Sequence, residues 1–390
     1  MGGKIATRSV LGVTGIRSDY DIMSSVFHAI DKHNELDLSL LVTGAHLSQS
    51  YGHTIDEIVN DGFEIVDVIE NLLNSDDAKG RVKGLGIQIQ GMVQTIARVQ
   101  PDILLVLGDR EEAMSTAIVG AYLDIPVAHV CGGDRVIGNV DDQIRHAVTK
   151  LAHIHFPSNQ ESASRIINLG EQEFRVFNVG NPGLDRLLHT PHLSDHELSA
   201  RLGFNVVDGQ DLLMVIQHPL SSEASKSYVQ MQQTMNAVRE LGLPTVIIFP
   251  NSDAGSHGII RAVNEMESLP HVHIVKNIPR FEFVNLMRRA GCLIGNSSAG
   301  ILEAPLLGLP VVNVGRRQRG RLHSSNVEFV DHKSLDIVKA VKRALCDQNY
   351  IAEVKKCQNP YGDGKSSERI ASVLATIELN EKLLIKDITF

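Results

Sequence analysis

The chain has 390 residues, 43% of them hydrophobic and 21% charged, and a formal net charge of −9. That is enough for two ordinary α/β domains, and an acidic balance without a basic run argues against a duplex-binding or anionic-membrane surface. Four scattered cysteines with no CxxC pair argue against disulfides and structural zinc. No apolar run reaches bilayer length, and the N-terminal MGGKIATRSV lacks a secretory leader, so the expected location is the cytoplasm.

From the N-terminus onward, short β-branched runs alternate with helical patterns, which predicts parallel sheets flanked by helices. VTGIRSDYD (13–21) reads as a strand end, a bend at Gly15 and a helix starting near Ser18 or Asp19. Arg17 adds a bidentate cationic fork beside exposed backbone N–H groups, and capping by Ser18 or Asp19 is the plainer reading. After LSLLVTG, the run DILLVLG (102–108) delivers Asp109 and Arg110, with Glu111 and Glu112 in the first helical turn. Capping by Asp109 and the helix dipole explain the acids but not Arg110, a cation at a helix N-terminus that wants an anion. IPVAHV (125–130) leads into a turn at Gly132 and Gly133, and Asp141 and Asp142 then open a helix carrying Arg145 and His146. An Asp141 cap with an i,i+4 Asp–Arg pair competes there with acid/base chemistry, which acids at the ends of adjacent strands favour. His153 and His155 alternate as on a strand, without a partner ligand, and read as core or surface residues rather than metal ligands.

Around 181–204 the strand patterns cease, which places the domain boundary: 1–184, then 185–365, with 366–390 as a final helix packing back on the first domain. In the second half, LLMVIQHP puts His218 at a strand end, as a catalytic base, a phosphate donor or a satisfied structural histidine. PTVIIFP is followed by Asn251 and Asp253, in a segment that otherwise reads as a plain turn. IGNSSAGILEA (294–304) reads as a strand end, a helix start at Ser297 and Ser298, and Glu303 about a turn inside. Such a helix start suits phosphate, and the carboxylate beyond it suits ribose hydroxyls, so the stretch fits a nucleoside diphosphate. LPVVNVG then leads to Arg316, Arg317, Arg319 and Arg321, a cluster that needs an anionic partner or open water.

Taken together, GIRSDYD, LGDR, CGGD…DDQIRHAVTKLAHIHF, QHP, FPNSDAG, IGNSSAGILE, VNVGRRQRGR and NPYGDGKSSERI, in this order from about residue 10 to 378, resemble the hydrolysing UDP-N-acetylglucosamine 2-epimerases of sialic and related nonulosonic acid synthesis. The resemblance implies a GT-B architecture, α/β with two Rossmann-like domains whose parallel sheets face a central cleft, and a homodimer or homotetramer. It implies loss of UDP from C1 with loss of the C2 proton, a 2-acetamidoglucal, then hydration to the free 2-epimer, with no metal or redox cofactor. By that resemblance Asp109 and Asp141 are the acid/base carboxylates, with His218 near the leaving phosphate. Arg17, Arg110, His218, Asn251, Ser297, Ser298, Glu303 and Arg317 hold the UDP-sugar, with Asp19, Asp253 and Arg321 grouped beside them.

One position departs from the family pattern. Some members carry a catalytic glutamate directly before the glycine pair, where this chain has Cys131, and the loop from Gly132 to Asp141 is longer by about one residue. Either Glu112 or Asp134 takes over a proton transfer, or the substrate differs; the latter points to relatives acting on 4-acetamido-4,6-dideoxy sugars, UDP-N,N′-diacetylbacillosamine in the legionaminic acid route. The non-hydrolysing epimerases fit less well, since they resemble GTRPE, GDT, EAG and HRRE where this chain reads GIRSD, GDR, CGG and QHP. A GT-B glycosyltransferase is the rival of another class.

Overall fold

Parallel strands covered by helices bury both faces, and the apolar runs form two such sheets in the computed structural model, which describes residues 7–73, 78–135, 140–206, 211–251 and 253–389. The chain divides into two compact units, Met1–Arg186 with Tyr361–Phe390, and Leu187–Pro360.

The first unit holds β1 (Arg8–Thr14), β2 (Leu36–Thr43), β3 (Ile65–Ile69), β4 (Ile103–Leu107), β5 (Val127–Val130) and β6 (Ile154–Phe156), all parallel, in the order β3-β2-β1-β4-β5-β6. Its helices include α1 (Arg17–Asp31), α2 (Ile55–Asn60), α3 (Ala78–Val99), α4 (Glu111–Tyr122), α5 (Val140–Leu151) and α6 (Gln160–Asn168). Alternate strand residues serve opposite faces. Val10, Leu40, Leu105 and Ala128 pack with Phe27 and Ile30 of α1, while Leu11, Leu41, Leu104 and Val127 pack with Met92 and Ile96 of α3 and Ala117 of α4. The chain returns to this unit in the helix Ser366–Thr376, whose Ile370, Ala371 and Leu374 join the α1 face. Buried Asp185 holds the start of that helix, accepting from the amides of Ser366 at 3.1 Å and Ser367 at 2.5 Å.

The second unit repeats the plan with β7 (Leu213–Ile216), β8 (Thr245–Ile248), β9 (Val272–Val275), β10 (Cys292–Gly295), β11 (Val311–Val314) and β12 (Val327–Val330), in the order β12-β11-β10-β7-β8-β9. In each sheet the order reverses at one point, between β1 and β4 and between β10 and β7. The connections leave to opposite faces of the sheet there, which opens room for a ligand beyond the strand ends. Gly295 marks the second of these points: its φ is +128°, and a Cβ would stand 2.1 Å from the carbonyl oxygen of Ile216.

Three local expectations need correction. The sequence reading names neither β3 nor β12, which are edge strands carrying Asp67 and Glu328 in otherwise apolar runs. Neither Ser18 nor Asp19 caps α1: Ile16 occupies that position without a side-chain cap, and Ser18 donates to Asp19 at 3.3 Å. The helix after β10 is Ala299–Leu302 alone, and Glu303 stands at its C-terminal boundary rather than inside it, before a 3-10 turn over Ala304–Leu307. Pro305 explains the break, because it has no N–H to give to Ile301 and its ring crowds that carbonyl. Among the described residues no helix is long and apolar enough to cross a membrane.

Candidate active site

In the first unit the strand-end loops bring the candidate carboxylates to one pocket. It has a volume of about 210 Å³ and is lined by Asp109 after β4, Glu111 and Met114 of α4, Val140, Asp141 and Ile144 of α5, and Arg81, Val82 and Leu85 of α3. Asp109 does not cap α4, whose N-cap residue is Arg110 with no side-chain cap bond. It ion-pairs instead with the buried guanidinium of Arg145, which also donates to the carbonyl of Cys131 at 2.9 Å. A doubly tethered arginine fixes the place of that carboxylate. Arg81 closes the pocket rim through an ion pair with Glu111 at 2.5 Å.

Glu112 and Asp134 do not line this pocket. Glu112 lies beneath the β1–α1 bend, where a Cβ on Gly15 would stand 1.8 Å from its Oε1, so the glycine makes room for the carboxyl. Burial pushes the Glu112 carboxyl up to about 7, against the pull of Arg110, whose Nε lies 3.8 Å away. Burial likewise raises Asp19 to about 6, opposed by Arg110. Asp134 is tied down: its Oδ1 accepts from Ser158 at 2.6 Å and Ser162 at 2.7 Å, and Oδ2 lies 3.7 Å from Arg145. Cys131 supplies no base in place of the family's glutamate, because burial holds its thiol protonated, well above the ordinary value. The Gly132–Asp141 loop, whose length the sequence reading singled out, lies in part outside the described residues.

The raised Glu112 has a stability consequence. A carboxyl whose folded pKa lies above its ordinary 4.5 takes stability away as pH rises from 4.5 to about 7, and the full cost persists above that. Glu112→Gln is therefore expected to raise Tm by about 3 °C at pH 8 and not at pH 4.5. Thermal melts at both pH values check this, and an equal shift at the two would contradict it.

In the second unit the candidate ligand residues gather at the ends of β7, β8, β10 and β11. Asn296 laces β10 to β7: its Oδ1 accepts from the His218 amide at 2.7 Å and its Nδ2 donates to the His218 carbonyl at 2.9 Å. The amide of Asn251 donates to Nδ1 of His218 at 3.1 Å, so the neutral imidazole carries its proton on Nε2 as a donor. Burial, then nearby Arg317, lowers the His218 pKa and keeps the ring neutral. Asn251 also donates to Asp253 at 2.7 Å. Arg317 and Gln318 both donate to the Asn296 carbonyl, at 3.1 and 3.0 Å.

The arginine cluster divides by partner. Arg316 pairs with Glu223 at 2.6 Å and Arg319 with Asp331 at 2.9 Å. Arg317 and Arg321 make no ion pair among the described residues; Arg321 donates to Gln318 at 3.0 Å. Ser297 receives the amide of Ala299 at 3.3 Å, and Ser298 is the N-cap residue of the short helix. Glu303 is held by Arg280 at 2.7 Å, a partner that offsets its charge beside an anion site. In the first unit Arg17, exposed, pairs with Glu57 at 3.3 Å.

Twin parallel sheets in this strand order, with charged and polar side chains gathered at the strand ends, are the GT-B-like α/β architecture. The chain belongs to the UDP-N-acetylglucosamine 2-epimerase family, whose profile matches residues 28–375. It is 37% identical over 97% of its length, and 98% of the relative's, to the hydrolysing UDP-N,N′-diacetylbacillosamine 2-epimerase of Legionella pneumophila. It is 30% identical to the UDP-N-acetylglucosamine 2-epimerase of Neisseria meningitidis serogroup B, over 94% of this chain and 95% of that one. The crystal structure of a Neisseria meningitidis UDP-GlcNAc 2-epimerase bound to UDP-GlcNAc matches with a TM-score of 0.78 at 19% identity, covering 94% of this chain and 99% of that one.

Sequence reasoning did not single out Arg81, Arg280, Asn296 or Gln318. Asn296 and Gln318 lie inside quoted motifs and were within reach. Arg81 and Arg280 belong to helices remote in sequence from the residues they pair with, and no local pattern signals them.

Proposed function

We propose that the chain is a hydrolysing 2-epimerase of UDP-N,N′-diacetylbacillosamine, releasing UDP and the free 2-epimer in the legionaminic acid route. The observation that carries the reading is the pocket in which Asp109 and Asp141 meet walls of Val82, Leu85, Met114, Val140 and Ile144. A 6-deoxy sugar presents a methyl group where N-acetylglucosamine presents a hydroxyl, and an apolar wall accepts the methyl without stranding a buried polar group. The Legionella relative supports the same substrate. UDP-N-acetylglucosamine is the second reading, supported by the Neisseria relative.

In this reading Arg317, Arg321, Ser297 and Ser298 take the diphosphate, and Nε2–H of His218 donates to the leaving phosphate; Arg17, Arg110 and Asp19 are assigned to the UDP-sugar by the family resemblance alone. Arg280 holds one oxygen of Glu303, and the other accepts from the ribose; Asn251 and Asp253 complete the polar surround. The C1–O bond breaks first, with its electron pair leaving on the β-phosphate, and the oxocarbenium character at C1 makes the C2 hydrogen acidic. Asp109, held in place by Arg145, takes that proton to give the glycal. Asp141 relays a solvent proton to C2 from the other face, water adds its oxygen at C1, and the proton that the water sheds passes back to Asp141, while Asp109 gives up the C2 proton to solvent. Glu112 and Asp134 support the loops rather than exchange protons. The enzyme works as a homo-oligomer in the cytoplasm.

Incubation with each UDP-sugar in deuterated water tests the reading. The expected products are UDP and a free sugar carrying one solvent deuterium at C2, formed faster from the diacetylbacillosamine substrate. Faster release from UDP-N-acetylglucosamine selects the second reading. A 2-epimer still bonded to UDP identifies a non-hydrolysing enzyme, and transfer to an acceptor without free sugar identifies a glycosyltransferase.

A further inference from the structure

A buried charge cluster lies at the far end of the helix that serves the pocket. Glu171, 1% exposed, meets Lys150 at 2.6 Å, Lys386 at 2.8 Å and Nε2 of His155 at 3.1 Å. Lys386 comes from the C-terminal segment, and its ammonium also donates to the carbonyls of Thr149, Lys150 and Ala152 at 3.2, 2.7 and 2.5 Å. Those carbonyls end α5, so a cation from elsewhere in the chain caps the negative end of that helix. The segment is itself clamped: Arg175, fully buried, donates to the carbonyls of Leu383 at 2.5 Å, Lys382 at 2.8 Å and Ile385 at 2.7 Å.

At its other end α5 carries Asp141, and one turn on it carries Arg145, the partner of Asp109. A second line reaches the same place. The hydroxyl of Thr149 lies 3.4 Å from Nδ1 of His129, and Nε2–H of His129 donates at 2.7 Å to the carbonyl of Gly108, the residue before Asp109. Burial holds His129 neutral, down to about 3, so this line stays unchanged across the working pH range.

We propose that Lys386 is a positioning residue for the reaction: by capping α5 it holds Asp141 and Arg145 in place against Asp109. The proposal rests on the reading of Asp109 and Asp141 as the proton-transferring pair. A merely structural lysine would move stability alone. A positioning lysine moves kcat and leaves the grip on UDP, assigned above to other residues, as it was.

The ammonium also titrates within reach of experiment. Burial lowers Lys386 to about 8, against the pull of Glu171, with Lys150 and Arg175 lowering it further. The groups facing it are Glu171 after α6, Lys150 on α5, His129 on β5, His153 and His155 at β6, and Arg175, while Asp387 on its own segment faces Arg175. Its charge is present below about pH 8 and is lost above it, so capping weakens on the alkaline side.

Lys386→Met and Lys386→Arg decide the matter, assayed with UDP-N,N′-diacetylbacillosamine and by calorimetric UDP binding between pH 6.5 and 10. Lys386→Met is expected to lower kcat at least about tenfold with UDP affinity unchanged. Lys386→Arg is expected to keep kcat within about threefold and to move the alkaline limb of kcat upward, because a guanidinium stays charged. A kcat within about twofold in Lys386→Met, a loss of UDP affinity matching the loss of kcat, or an alkaline limb unmoved in Lys386→Arg overturns the proposal. An Asp109→Asn control separates the two readings: if that variant keeps full turnover, the assignment of the pocket itself fails, whatever Lys386 does.

Discussion

Asp109→Asn is expected to lower kcat by about 10³-fold while leaving the UDP dissociation constant within about twofold. The size follows from losing a positioned general base, for which about 10²–10⁴ is typical. The selectivity follows from placement: Asp109 lines the first-unit pocket, whereas the cations assigned to the diphosphate lie mostly at β10 and β11. The substitution also strips Arg145 of its nearer carboxylate and leaves a buried guanidinium with Asp134 at 3.7 Å as its remaining counter-charge, so a lower Tm accompanies the loss of rate. Steady-state kinetics with the diacetylbacillosamine substrate and calorimetric UDP titration check both halves. Parallel losses in rate and in UDP affinity would contradict the assignment.

Arg317→Ala is expected to weaken UDP binding by about 2–3 kcal/mol, roughly a hundredfold, the scale of a lost charge-assisted hydrogen bond to phosphate. Arg317 is singled out from its neighbours by its partners. Arg316 and Arg319 already neutralise Glu223 and Asp331, while Arg317 spends one N–H on the Asn296 carbonyl and keeps its charge for a ligand. Arg316→Ala is thus the control, with UDP affinity within about twofold. Calorimetry at fixed ionic strength compares the two; equal losses would show that the cluster acts only through its summed charge.

The strand-end residues were legible because a parallel sheet delivers every chain segment to the same edge. Asp109, His218, Asn251 and Arg317 each follow an apolar run, so their nearness to a strand end is a one-dimensional property. The capping alternatives were equally legible, and only the structure decides against them at α1 and α4, where neither Asp19 nor Asp109 caps its helix. His218 shows a finer limit. Its place was readable, but its service as a donor depends on the Asn251 amide meeting Nδ1. Pro305 was visible in the sequence, and weighing it would have shortened the helix after β10.

The alternation of apolar runs and helical patterns, by itself, determined a two-sheet α/β protein, and the order of the motifs pointed to the epimerase family and its ligand chemistry. Only the tertiary structure decided which charges meet: Arg145 with Asp109, Arg280 with Glu303, and Lys386 with Glu171 at the end of α5. The reason is physical. Backbone periodicity and caps act over a few residues and leave a local trace, whereas a carboxylate takes whichever cation the folded sheets bring within reach, and that choice depends on packing along the whole chain.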